Sequence, residues 1–160
     1  MRATILLLFI NIAFTLSGQE NTNYENQRMT ENKKEFKKLT EIEEFIIINK
    51  GTEFPFTGEF NEHKKKGIYA CKQCNNPLYY SSDKFESNCG WPSFDDEIKG
   101  AVTKSPIDVE GQMEITCSNC DGHLGHVFYG ENFTSKNTRH CVNSVSLNFI
   151  PRKSIKKGGH

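Results

Sequence analysis

The 160-residue chain has no excess of charge of either sign, its 20 Lys and Arg being matched by 20 Asp and Glu. Such a balance supplies no long-range attraction to a polyanion, so nucleic acid is excluded as an expected partner. No apolar stretch reaches the roughly 20 residues that a membrane span needs. The longest, Ile5 to Phe14, falls well short, and no cysteine follows it closely, which excludes a lipid-modified cysteine there. There is no internal repeat beyond two Cys-x-x-Cys units. The length allows one domain with a real core and is too short for two. Against these absences stand 12 Phe, 5 Tyr and 12 Gly, a composition that favours strands and turns over a helix bundle, and six cysteines.

The N-terminal stretch opens with Arg2, continues through Ile5 to Phe14 and reaches Ser17-Gly18. One positive charge, an apolar run of about ten residues and small residues at its end form the layout of a secretory signal peptide. Residues 1–18 are therefore read as a signal peptide cleaved near Gln19, which would place the protein in a periplasm or outside the cell. An uncleaved anchor or a buried first helix is the alternative. Residues 19–35 are polar, Asn-rich and without apolar period, and read as a linker. Residues 36–151 form the expected folded domain, and 152–160 a basic tail, frayed and solvated.

Within the domain, Phe36, Leu39, Ile42 and Ile46 recur at helical spacing, and Thr40 with Glu43 has capping-box spacing. This predicts one or two short helices ending near Gly51, a C-terminal cap. Beyond it, short runs punctuated by Gly and Pro predict a β-rich fold as far as Ile150. The stretch Arg139 to Phe149 alternates, with Val145, Leu147 and Phe149 set against Ser144, Ser146 and Asn148. Read as one half-buried strand, it puts Arg139, Cys141 and Asn143 on the apolar side. A thiol flanked by a guanidinium and a carboxamide is a candidate nucleophile, since a nearby cation lowers a thiol's pKa. A buried Cys packing as a small hydrophobe is the alternative.

Four of the six cysteines are paired, as Cys71-Lys72-Gln73-Cys74 and Cys117-Ser118-Asn119-Cys120. Each pair follows a strand-like run and precedes a turn signal, Asn75-Asn76-Pro77 or Asp121-Gly122. Two such turns can present four thiolates to one tetrahedral zinc ion, with every ligand position filled by protein, as in a structural site. The 42 residues between Cys74 and Cys117 require the domain itself to bring the turns together. Disulfides or a redox-active Cys-x-x-Cys compete with this reading in an exported chain. Cys89 and Cys141 are left over. Cys89 lies in Asn88-Cys89-Gly90-Trp91-Pro92-Ser93-Phe94, a mobile-looking loop that holds the only Trp. Between Cys120 and Cys141 lies His123-Leu124-Gly125-His126. On a strand that spacing turns the two imidazoles apart unless Gly125 permits a bulge, and a His satisfied within the core is the reading the stretch favours in isolation.

Taken together, these segments resemble the B-type peptide-methionine sulfoxide reductases. The matching residues are Leu39-Thr40, Lys50-Gly51-Thr52-Glu53 and Pro55-Phe56-Thr57-Gly58; the two Cys-x-x-Cys pairs; Cys89 to Phe94; His123 to Phe128; and Arg139-His140-Cys141-Val142-Asn143-Ser144. They run in the family's order from about residue 36 to 151.

The resemblance implies two antiparallel sheets forming a β-barrel-like core, short N-terminal helices and structural zinc on Cys71, Cys74, Cys117 and Cys120. It implies reduction of the R epimer of methionine sulfoxide in peptides and proteins. Cys141 would be the nucleophile and Cys89 the resolving thiol, with a Cys89–Cys141 disulfide recycled by a thioredoxin-like reductant. His123, His126, Arg139 and Asn143 would form the polar site, and Trp91 with Phe149 the substrate-binding wall. A monomer with no stable membrane association after signal cleavage is expected. The sequence departs from the family at His140, where many members have an aromatic residue, and at Tyr129-Gly130, where several have Pro-Asp. Any role for an acid in that loop is thereby put in doubt.

Overall fold

Thr40 caps the α-helix of the described residues. Its hydroxyl accepts the Glu43 N–H at 3.4 Å, and the Glu43 carboxylate accepts the Thr40 N–H at 2.9 Å. Two N–H groups that the helix cannot satisfy internally are met by this reciprocal pair. Helix α1 spans Glu41–Ile47, with Glu41, Glu43 and Glu44 in its first turn, where the helix dipole favours negative charge. It buries Glu43, Ile46 and Ile47 and leaves Ile42 exposed. The computed structural model describes residues 36–152. The stretches read as signal peptide and linker, and residues 153–160 of the tail, lie outside the described residues. Arg152 is not frayed: its N–H donates to the Lys66 carbonyl at 2.9 Å. Among the described residues no helix is long and apolar enough to cross a membrane.

Among the described residues one α-helix stands where one or two were expected, and it ends near Gly51, whose N–H donates to the Phe45 carbonyl at 2.9 Å. The helix closes at Ile48, and the left-handed residue after it is Lys50, at φ 58°. Gly51 also leaves room for the Phe45 ring, which a Cβ there would strike.

Among the described residues nine short strands follow: β1 Gly67–Cys71, β2 Pro77–Tyr80, β3 Lys84–Phe85, β4 Ser93–Phe94, β5 Val102–Lys104, β6 Met113–Cys117, β7 His123–Tyr129, β8 Thr138–Val142 and β9 Leu147–Pro151. They form two antiparallel sheets, β2-β1-β9 and β3-β4-β8-β7-β6-β5. Both sheets are open, so the barrel-like core of the sequence reading is two sheets sharing one core rather than a closed barrel. Tyr69, Tyr79 and Leu147 from the smaller sheet bury against Phe94, Ile115, Leu124 and Val142 from the larger. Tyr79 stacks on Phe94 at 4.2 Å between ring centroids, and Tyr69 meets the same ring edge-on at 5.0 Å.

The stretch 139–149 is not one strand. β8 lies in the six-stranded sheet and β9 in the three-stranded one, and a turn of 3₁₀ helix at Ser144–Ser146 carries the chain between them. The alternation misled because Ser144 and Ser146 are buried for their hydrogen bonds. The Ser144 hydroxyl accepts the Phe60 N–H at 2.8 Å, and the Ser146 hydroxyl donates to the His123 carbonyl at 2.9 Å. A buried serine is acceptable when its hydroxyl meets backbone groups that would otherwise lack partners.

Candidate active site and metal centre

β8 runs through the middle of the larger sheet, so Cys141 has a neighbour on each side: Ser93 of β4 and His126 of β7. The Cys89 sulfur comes to 3.7 Å from the Cys141 sulfur. It is delivered by the β3–β4 loop, in which Asn88 (φ 57°) and Gly90 (φ 98°) adopt left-handed backbone. This loop is tied to the segment Glu53 to Phe56. Gly90 accepts the Phe56 N–H at 2.7 Å, the Trp91 indole donates to the Glu53 carbonyl at 3.2 Å, and a Cβ on Gly90 would strike Pro55.

A bulge, without which the His-x-x-His spacing would turn the two imidazoles apart, is present. Ile115 faces Gly125 across the β6–β7 ladder while its neighbour Thr116 faces His123, so Leu124 is the extra residue. That shift brings His123 and His126 to the same side, their ring centroids 5.6 Å apart. His123 is only 2% exposed, and its Nδ1 lies 2.8 Å from the Glu114 carboxylate, which also takes the Lys50 ammonium at 2.8 Å. Burial drives the His123 pKa down against the pull of Glu114. A neutral ring with its proton on Nδ1 fits this partner and leaves Nε2, buried and without a protein partner, as an acceptor.

Arg139 and Asn143 flank Cys141 as expected, but Asn143 is a tie within the backbone. Its Oδ1 accepts the Glu53 N–H at 3.0 Å and its Nδ2 donates to the carbonyl of the bulge residue Leu124 at 3.2 Å. Phe149 belongs to another set of contacts. Its ring packs on His63, Tyr69 and Phe60, with centroids at 4.3, 5.1 and 6.4 Å, in the smaller sheet's aromatic cluster. Trp91 lines a cavity of about 410 Å³ together with Phe56, Ser87 and Asn88. A larger one, about 560 Å³, lies beside α1, and neither is lined by a cysteine.

The two sulfurs compete for one negative charge. A thiolate on Cys89 is favoured first by the Cys141 thiol, then by the hydroxyls of Ser87, at 2.9 Å, and Ser93, at 3.5 Å; together they outweigh burial and pull its pKa to about 4. Cys141 is correspondingly pushed up, by Cys89 and by burial, while Arg139 pulls it down. The pair therefore gives up one proton readily and holds the second.

The other four cysteines converge. Their sulfurs all lie within 4.8 Å of one another, with Cys71–Cys120 at 3.6 Å and Cys74–Cys117 at 3.5 Å. Tetrahedral zinc with bonds of about 2.3 Å would set sulfurs roughly 3.8 Å apart, so the donor set fits such an ion. The two turns are built alike. Cys71 N–H donates to Asn76 and Cys117 N–H to Gly122, while the Cys71 and Cys117 carbonyls accept from Asn75 and Asp121, both at φ 58°. All six thiols are free of disulfides.

The SelR domain family matches residues 39–151. Peptide methionine sulfoxide reductase B2, chloroplastic, of Arabidopsis thaliana is 51% identical over 119 residues, covering 73% of this chain and 59% of that protein. Peptide methionine sulfoxide reductase B5 of Oryza sativa subsp. japonica is 49% identical over 119 residues, 73% of this chain and 88% of that protein. The chain belongs to the B-type methionine sulfoxide reductase family. It thus spans little more than half of the chloroplastic relative and most of the rice one.

In this member of the B-type family, three acidic residues of the site carried no assigned role in the sequence. Glu53 is 8% exposed; its carboxylate accepts the N–H groups of Ser144 and Val145, its own N–H meets Asn143, and its carbonyl meets Trp91. Burial raises its pKa against those N–H donors. Glu114 orients His123, and Glu131 pairs with Arg139. Each is a charged residue whose burial or partnership depends on residues distant in sequence or across a loop. Only Glu53, inside a matched segment, carried any signal. His140, the departure from the family, is fully buried on the opposite face of β8, its Nδ1 3.2 Å from the Tyr79 hydroxyl.

Proposed function

We propose that the protein reduces the R epimer of methionine sulfoxide in peptides and proteins. The observation that carries this reading is the 3.7 Å approach of Cys89 to Cys141, with His126 the cross-strand neighbour of Cys141. Cys141, flanked by Arg139 on its own strand, attacks the sulfoxide sulfur as thiolate, and Cys89 is near enough to take the shared proton as it does so. The sulfoxide oxygen passes to Cys141, leaving a sulfenic acid and releasing the thioether, methionine. His126, less buried than His123, is the proton donor to that oxygen, and the His123 ring packs edge-on against it with centroids 5.6 Å apart. Cys89 then condenses with the sulfenic acid, one water leaves, and a Cys89–Cys141 disulfide remains. A thioredoxin-like dithiol reduces the disulfide by exchange. Trp91, held by Glu53, walls the pocket for the S-methyl group, and Asn143 keeps the bulge and the Glu53 segment in place.

The hydroxyl cradle around Cys89 favours a second reading, in which Cys89 attacks and Cys141 resolves. Single-turnover kinetics of the two serine variants separate them. Zinc is the metal we assign to Cys71, Cys74, Cys117 and Cys120; it binds and braces the fold, and no step passes through it. Residues 1–18 are proposed to direct export, so that the reductant is an exported dithiol protein; a chain that keeps Met1 in the cytosol of its native cell would overturn this. The main test is reduction of separated R and S sulfoxide peptides with dithiothreitol. Activity on R alone is expected. Equal rates on S, or none on either, would reject the reading.

A further inference from the structure

Two serine hydroxyls surround the sulfur of Cys89. Ser87 lies two residues before it and donates its hydroxyl to the sulfur at 2.9 Å. The Ser87 oxygen accepts the Cys89 N–H at 3.4 Å, a local serine turn closed across Asn88, whose φ is 57°. It also lies 2.7 Å from the hydroxyl of Ser93, which is 1% exposed on β4 and 3.5 Å from the same sulfur. A hydroxyl has one proton to give. With the Ser87 proton given to the sulfur, the 2.7 Å contact is a bond from Ser93 to Ser87, and the relay ends on Cys89. The Trp91 carbonyl, 3.5 Å from the sulfur and 3.3 Å from the Ser93 oxygen, is the acceptor open to the protonated thiol. Ser93 pairs with Cys141 across the β4–β8 ladder, so the relay is anchored beside the strand that carries the second thiol.

In the resting protein the Cys141 thiol, 3.7 Å away, is the first of the groups that favour a Cys89 thiolate. Once Cys141 has become a sulfenic acid that S–H is consumed, and the hydroxyls of Ser87 and Ser93 remain. The other charged or titratable groups on the elements around this sulfur come from four places. Arg139 of β8 gains from a Cys89 thiolate, and His126 stands beyond β8 on β7. Glu86, on the loop itself, is paired with Lys64 at 2.6 Å, and the Glu53 carboxylate is turned to Ser144 and Val145. We propose that Ser87 and Ser93 are positioning residues for Cys89, holding its sulfur beside Cys141 and stabilising it as the thiolate that closes the disulfide. In that step the Cys89 thiol and the Cys141 sulfenic acid give the disulfide and one water. The Cys141 S–O bond breaks, the S–S bond forms, and the thiol proton leaves with the oxygen; the Cys89 sulfur is oxidised as the Cys141 sulfur is reduced. Attack on the sulfoxide makes the opposite demand. It needs Cys89 to take a proton, so the hydroxyls do not assist it. The proposal rests on Cys141 being the attacking thiol.

The test is the pH dependence of iodoacetamide alkylation at Cys89, read by peptide mass spectrometry on the full-length, metal-loaded protein. Cys141→Ala is the background, so that no second thiol shares the proton. Ser87→Ala should raise the midpoint by about one unit, and Ser93→Ala should raise it in the same direction. Ser87→Thr keeps the hydroxyl and should stay at the parent's value. With Cys141 restored, quenched-flow counting of methionine and disulfide from the R sulfoxide gives a second readout. A less acidic thiol is less ionised but a better nucleophile once ionised. Disulfide formation in Ser87→Ala should therefore be about threefold slower below both midpoints and up to about threefold faster well above them. The first methionine should appear no later than in the parent. An unshifted or lowered midpoint in Ser87→Ala overturns the proposal, as does one in Ser93→Ala should Ser87→Ala fail to fold. So does disulfide formation slowed by the same factor at every pH, or a first methionine delayed with it. A parent that releases no methionine from the R sulfoxide rejects the functional reading instead, and the alkylation midpoints still report on the two hydroxyls.

Discussion

The carbonyl oxygen of Cys141 occupies the place that a Cβ on Gly125 would take. Gly125 also holds φ 150°, outside the range of ordinary L-residues, and follows the extra residue of the β7 bulge. The β7–β8 ladder can close over the thiol strand only because this position has no side chain. Gly125→Ala should therefore cost about 2–4 kcal/mol and at least tenfold in activity. Chemical denaturation and sulfoxide turnover check this, and an unchanged denaturation midpoint would show that the ladder tolerates the methyl group.

Cys141→Ser should abolish even a single turnover, because a hydroxyl is a far weaker nucleophile than a thiolate at neutral pH. Cys89→Ser should release about one methionine per enzyme and leave a trappable sulfenic acid on Cys141. Its steady-state rate with a thioredoxin should collapse, and dithiothreitol should restore part of it. Quenched-flow product counting and mass spectrometry read both; the reverse pattern would give the attack to Cys89.

Removing the metal, or introducing Cys74→Ser, should destabilise the fold without altering the thiol pair. The four sulfurs link β1 and its following turn to β6 and its following turn, which belong to different sheets. Structural zinc binding is worth ~10–16 kcal/mol apparent in small peptides, so its loss from this site should be plainly visible. Metal analysis beside thermal melts is the check, and an apo-protein that melts with the holo-protein would refute the assignment.

His140 should make stability depend on pH. Burial pulls its pKa down to about 4, and the groups around it are the Tyr79 hydroxyl, Glu97 at 3.1 Å, Lys104, Asp95 and Asp96. The unfolded histidine takes up its proton near 6.5, so between there and about 4 the unfolded chain binds more protons than the folded one. Stability from this group is complete above about pH 6.5 and is lost as pH falls, by ~3 kcal/mol in all. His140→Phe should flatten that acid limb in denaturation curves from pH 7 to 4. Parallel limbs for the two proteins would count against it.

Features carried by local chemistry are legible in the sequence. The Thr40–Glu43 capping box, the twin Cys-x-x-Cys turns and the need for a bulge at Gly125 each involve residues a few positions apart, whose geometry the backbone alone dictates. The alternating run from Arg139 to Phe149 was legible only in part. Alternation reports burial, and it cannot tell a buried serine that satisfies a backbone group from an exposed one.

The sequence by itself determined which residues carry chemistry: six thiols split four and two, an arginine two residues from one of them, and two imidazoles awaiting a bulge. Tertiary structure alone decided what those groups do to one another. It put Cys89 at 3.7 Å from Cys141, gathered the four paired sulfurs, and assigned Phe149 to the core rather than to the pocket. It also buried Glu53 under Ser144, set Glu114 against His123 and clamped Arg139 with Glu131. A carboxylate in a sequence looks solvated by default, since burial is costly without a partner. The partners of Glu53 come from residues some ninety positions away, and those of Glu114 and Glu131 from the far side of a turn or loop. Only the folded chain shows where that cost is offset.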